Sequence, residues 1–124
     1  MTKKTMKIDW LDMPEDHDYP AAASYLSLTL KETMDAGLVA KLRKAPLSRF
    51  KAKDIFRASG LSLLGVRNLH VDKDRKKINN GQALSPLLLE RDSATGRVII
   101  ADRYHRLCAV YSYDEDALIP CKIN

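Results

Sequence analysis

The segment from Leu87 to Tyr113 constrains the fold of this chain more than any other. Leu87-Leu88-Leu89 is a short apolar run after Pro86, Asp92-Ser93-Ala94-Thr95-Gly96 is a turn signal, and Val98-Ile99-Ile100 is β-branched and apolar. Two runs of sheet formers around such a linker predict an antiparallel hairpin, with a loop longer than the tightest two-residue type. Residues 103–113 follow at once and read as a helix, with Tyr104, Leu107 and Tyr111 on one stripe.

The flanking sequence fills in an α+β pattern. Ile119, Cys121 and Ile123 alternate with Pro120 and Lys122, which predicts a last strand with Pro120 near its start or on an edge. Upstream, residues 20–34 read as a helix with Pro20 in its first turn and Ala22, Ala23, Leu26, Leu30 and Met34 on one face. Gly37 interrupts that pattern, and a short second helix runs through Leu38, Val39 and Leu42 to end before Pro46. Ser48 is placed to cap a third helix over 49–59, closed by Gly60 in the left-handed conformation. A polar, basic helix from Asp72 to Asn80 stops at Gly81 and reaches the core through Val71 and Ile78. Residues 1–18 read as an arm, with a short strand through Met6, Ile8 and Trp10, a turn at Pro14, and the Trp10 ring as anchor. The 124 residues therefore divide into an arm, 1–18, and a single α+β domain, 19–124, with a helical N-terminal half and a small mixed sheet.

Several classes fall away. Glycine and proline number five each and cysteine two, against collagen, linker or disulfide-scaffold readings. No apolar run approaches the roughly 20 residues of a membrane span. The N-terminal MTKKTMKIDWLDM shows no cleavage-site pattern. Cys108 and Cys121 form no CxxC pair and read as buried thiols of a cytoplasmic protein without a membrane partner. The net charge is +5, and the excess is local: residues 41–77 hold twelve Lys or Arg against three Asp, a net of +9. Such a segment either attracts an anion, nucleic acid or nucleotide phosphate among them, or forms solvated helix faces. Ser48 to Val66 loosely has the layout of a DNA-binding helix-turn-helix, but the sequel LSLLGV is too apolar for an exposed recognition helix.

The junction Ile100-Ala101-Asp102-Arg103-Tyr104-His105-Arg106 is where chemistry is concentrated. A helix start leaves backbone N–H groups unpaired, and these hold anions. Arg106 adds a forked donor and His105 a further donor or a proton shuttle. The competing arrangement has Asp102 cap the helix, its carboxylate in the place of a phosphate, while Arg103 and Arg106 pair with Asp102 or with the acidic 114–116 run.

These residues resemble the ParB/sulfiredoxin superfamily over roughly 60–124. The likeness lies in Leu84-Ser85-Pro86-Leu87-Leu88-Leu89, the hairpin, Ile100 to Ala109, and Leu118-Ile119-Pro120-Cys121-Lys122-Ile123. The resemblance implies a nucleotide-binding α+β domain, with ATP or CTP and Mg²⁺ as ligands and phosphoryl transfer or nucleotide hydrolysis as chemistry. It implies phosphate contacts from Arg106, with Ser85 and His105 at matching positions; Arg103 is a further candidate for phosphate contact, and Asp102, toward a proton or the metal, and His105 are the candidate catalytic residues. Two positions depart from the family. Tyr104 stands where sulfiredoxins carry their cysteine nucleophile, which removes sulfinic-acid reduction, since a phenol cannot replace a thiol. Arg103 stands where the family has glycine, and either fills the phosphate seat or adds a cation to it. The alternative is a non-enzymatic nucleic-acid-binding or protein-interaction module with a degenerate pocket.

Overall fold

A computed structural model describes residues 7–29, 32–62 and 68–124. Its elements run α1 (Asp18–Thr29), α2 (Glu32–Lys44), β1 (Leu47–Lys51), α3 (Ala52–Ser59), α4 (Leu69–Asn79), β2 (Leu87–Asp92), β3 (Arg97–Asp102), α5 (Tyr104–Tyr113) and β4 (Leu118–Ile123). The four strands form one mixed sheet in the order β1-β4-β2-β3. The β2–β3 hairpin is antiparallel, with Leu89 opposite Ile100 and a register shift between Leu88 and Leu89. Asp92 organises its turn by accepting from the Ala94 N–H at 3.1 Å and the Thr95 hydroxyl at 2.9 Å.

Alternation along the strands sends side chains to both faces of the sheet. Leu87, Leu89, Ile100, Ile119 and Cys121 join the core that also takes Ile55 of α3, Val71 and Ile78 of α4, and Leu107 to Val110 of α5. Leu88 and Ala101 point the other way, against Tyr19, Ala22 and Leu26 of α1 and Leu42 of α2. Lys122 is on that second side and fully buried. Its Nζ donates to Arg43 O at 2.6 Å, in the last turn of α2, where the helix dipole favours a cation. Both thiols, Cys108 and Cys121, are buried and outside any disulfide.

Four sequence expectations need correction. Residues 47–51 form a strand where a helix from 49 was expected. Ser48 lies in the ladder opposite Cys121, so pairing with β4 overrides its capping preference. Helix α3 instead starts at Ala52, where backbone carbonyls supply the cap: the Ala52 N–H donates to Ala117 O at 3.0 Å and the Lys53 N–H to Glu115 O at 2.9 Å. Gly37 does not interrupt a helix but lies inside α2. Leu30, expected on the α1 face, is outside the described residues, and Met34 falls in α2. The basic helix begins at Leu69 rather than Asp72, because Asn68 caps it, accepting from the His70 and Val71 N–H groups at 3.0 and 3.3 Å. Pro120 falls near the start of β4, one of its two expected places, and not on an edge, since β4 lies between β1 and β2. The parallel ladder to β2 begins at Cys121, one residue past the missing N–H.

Other expectations hold. Gly60 closes α3 at φ 67°, with its N–H on Phe56 O at 3.1 Å. The arm is tied down beside Trp10 through a bridge to Leu84, flanked by Leu11 N–H to Leu84 O at 2.7 Å and Leu84 N–H to Asp9 O at 2.9 Å. Trp10 packs on the core. Met6 and most of the LSLLGV stretch, from 63 to 66, lie outside the described residues. Among the described residues no helix is long and apolar enough to cross a membrane.

Candidate functional site

Strand β3 delivers the chain to α5 through Arg103, which takes the left-handed conformation at φ 75° and ψ 35°. It is the sole non-glycine residue with positive φ among those described, at a position where a Cβ costs energy. This turn makes Arg103 the N-cap residue, and its side chain makes no capping bond. Asp102 therefore does not cap α5, contrary to the competing arrangement read from the sequence. The first helical bond is Leu107 N–H to Arg103 O at 3.2 Å. No acidic residue occupies the first turn of α5, so nothing within that turn offsets its positive end.

The two arginines of the motif turn inward. Arg103 Nη2 donates to Asp18 Oδ1 at 2.5 Å and lies 3.1 Å from His17 Nε2. Arg103 Nε sits 3.2 Å from Asp102 Oδ2 but out of line, leaving both atoms without a hydrogen bond. Asp18 is fully buried and also accepts the Glu15 N–H at 2.9 Å. Burial, reinforced by the nearby Asp18 carboxylate and only partly offset by Arg103, pushes the Asp102 carboxyl up to about 6.

Arg106 is a buried strut. Its Nη1 donates to Ser85 O at 3.0 Å and Ser85 Oγ at 2.5 Å, and its Nη2 lies 3.4 Å from Asp74 Oδ1. These bonds tie α5 to α4 and to the approach into β2. Desolvation lowers the guanidinium pKa, with Asp74 opposing. The acidic 114–116 run pairs elsewhere: Lys53 reaches Asp116 at 2.7 Å.

Between α4 and the start of α5 lies a cleft of about 300 Å³ lined by His70, Lys73, Asp74, Lys77 and residues 102–106. The α4 contributors stand at helical spacing of three, four and seven, one face of the helix that Asn68 starts. The His70 and His105 rings lie 4.8 Å apart, tilted by 40°. Burial lowers the His105 pKa, His70 lowers it further, and Asp74 opposes both. A second cavity of about 480 Å³, walled by Tyr25, Leu61 and Ile100, shares residues 102–105 with the first. Tyr104 between them donates to Ser62 O, and burial pushes its phenol up to about 12.

The structure thus brings Asp102, Arg103, His105 and Arg106 to one cleft. Ser85 is fully buried behind it, its hydroxyl taken by Arg106. The sequence reading missed His70 as a site residue, and it treated Lys73 and Lys77 only as part of a charge run. Their spacing with Asp74 was the available signal. The basic segment is spread over α2, β1, α3 and α4. Much of it is paired: Arg57 with Asp54, Lys76 with Asp72, Lys53 with Asp116, and Arg75 over the Tyr113 ring.

Among the described residues no group of three or more His, Cys, Asp or Glu is placed to hold a metal ion. Asp102, the carboxylate at the helix start, lies in an ion pair with Arg103 at 3.2 Å. No protein-family model, no curated protein and no solved structure matches the chain.

Proposed function

We propose that this chain binds a phosphate-bearing small molecule in the α4–α5 cleft. The observation that carries the reading is the meeting of Lys73, Lys77, His70 and His105 at a helix start without a side-chain cap. Two lysine ammonium groups, two imidazoles and free backbone donors form an anion seat, while Arg103 and Arg106 hold its walls in place instead of contacting the ligand directly. A nucleotide is the favoured form, its phosphate beside α5 and its base toward Tyr25, Leu61 and Ile100 across the shared wall. The likeness to the ParB/sulfiredoxin superfamily supports ATP or CTP. The left-handed backbone at Arg103, where that family carries glycine, adds to it. Phosphoryl transfer or hydrolysis would draw on His105, with Asp102 positioned behind Arg103.

A thermal-shift panel of ATP, CTP, AMP and phenyl phosphate, each with and without Mg²⁺, tests the reading. A ligand that binds the folded state raises the melting temperature by mass action. A dose-dependent rise with at least one phosphate ligand is expected. No rise with any of them overturns the proposal, and retention of oligonucleotides that weakens with salt would then favour a nucleic-acid partner.

A further inference from the structure

The fixed charges around the cleft nearly cancel. Arg106 is matched by Asp74, and Arg103 is shared between Asp18 and Asp102. These five groups leave one negative charge. Lys73 and Lys77 line the same space and bring two positive charges, so the cleft carries a net +1 while its imidazoles are neutral. That matches a monoanion and falls one charge short of a dianion.

The two imidazoles are the groups able to supply the missing charge. With ring centres 4.8 Å apart, two protons on the pair would repel, so the pair accommodates one. Other groups face His105 from each neighbouring element. Helix α4 presents His70, Lys73, Asp74 and Lys77; the β3–α5 junction presents Asp102 and Arg103. The Tyr104 ring lies 5.7 Å away. Asp18 and His17 of the α1 start stand behind Arg103. Burial holds the Tyr104 phenol at about 12, outside this range. An anion arriving beside the rings opposes the burial and the His70 repulsion that lower the His105 pKa.

We propose that the cleft selects a terminal phosphate dianion over a phosphodiester and takes up one proton on the His70–His105 pair as it binds. This rests on the phosphate reading above and narrows it to a ligand with a terminal phosphate dianion, which a nucleic-acid backbone lacks.

The experiment is calorimetric titration of the full chain at about pH 7.5, in buffers of different ionisation enthalpy, with phenyl phosphate and its diester methyl phenyl phosphate as probes. The apparent enthalpy should vary with buffer in proportion to an uptake approaching about one proton, and the monoester should bind about tenfold or more tighter. The imidazole C–H resonances of His70 and His105 should move toward their protonated positions during the same titration, a readout that needs no variant. Uptake should vanish in the His70→Asn/His105→Asn double variant and persist in Asp102→Asn. Monoester binding without proton uptake, equal affinity for the two probes, or uptake lost only in Asp102→Asn overturns this inference and leaves the phosphate reading intact. No saturable binding of either probe overturns both.

Discussion

Arg103 donates to Asp18 at 2.5 Å, and this bond ties the start of α5 to the start of α1 across 85 residues of sequence. Two effects oppose each other at Arg103. Its left-handed backbone costs about 1–2 kcal/mol relative to glycine. Removing its guanidinium leaves Asp18, with 1% of its side chain exposed, as a buried carboxylate without a close arginine, a loss of about 3–5 kcal/mol for a buried pair. The pair wins.

Arg103→Gly should therefore lose stability, on the order of 1–3 kcal/mol, despite relieving the backbone. Adding Asp18→Asn to that variant should recover part of the loss. Urea unfolding of the parent, both single variants and the double variant gives the coupling directly.

Arg106→Ala should destabilise by about 3 kcal/mol or more, because Asp74 and Ser85 lose a partner inside the protein. Arg106→Lys should restore part of this, since one ammonium cannot span both partners. Denaturant midpoints check the order parent, lysine, alanine. An alanine variant as stable as the parent contradicts the strut assignment.

Asp102 gives a pH signature with a definite sign. Its folded pKa, about 6, lies above the ordinary carboxyl value of 3.8, so the folded state keeps the proton longer than the unfolded chain. The contribution of this group is most favourable below about pH 4 and declines as pH rises toward about 6, beyond which it is flat. Asp102→Asn should thus gain stability relative to the parent across that window. His105 acts oppositely: its depressed pKa contributes stability that is present above the unfolded value of 6.5 and is lost as pH falls. Unfolding free energies of parent, Asp102→Asn and His105→Asn at several pH values separate the two slopes.

Lys73 and Lys76 are neighbours in sequence with different surroundings. Lys73 lines the cleft, while Lys76 is 72% exposed and pairs with Asp72 at 3.2 Å. Lys73→Glu should weaken phenyl phosphate binding by about tenfold or more, and Lys76→Glu by far less. Equal losses would point to a diffuse field in place of a site.

The hairpin, α5 and the final strand were legible because their signals are local: β-branched runs, a turn cluster and an alternating tail. Strand β1 was not, because Ser48 looks like a helix cap until β4, some seventy residues later, is there to pair with it. The inward turn of Arg103 was hidden for the same reason, since Asp18 comes from the far end of the chain. Half of the cleft could be read from the Asp102 to Arg106 motif. The other half, His70, Lys73 and Lys77, depended on how α4 packs beside α5, which charge counting along the sequence does not reveal.

The central claim is that phosphate sits between α4 and the start of α5. Its most direct test is a backbone amide NMR titration of the full chain with phenyl phosphate. Saturable shifts should concentrate on the amides of Tyr104, His105 and Arg106 and on α4 around His70 and Lys73, with Phe50, Leu89 and Val98 at the separate apolar cavity unmoved. Saturable shifts centred elsewhere, or none, would contradict the account.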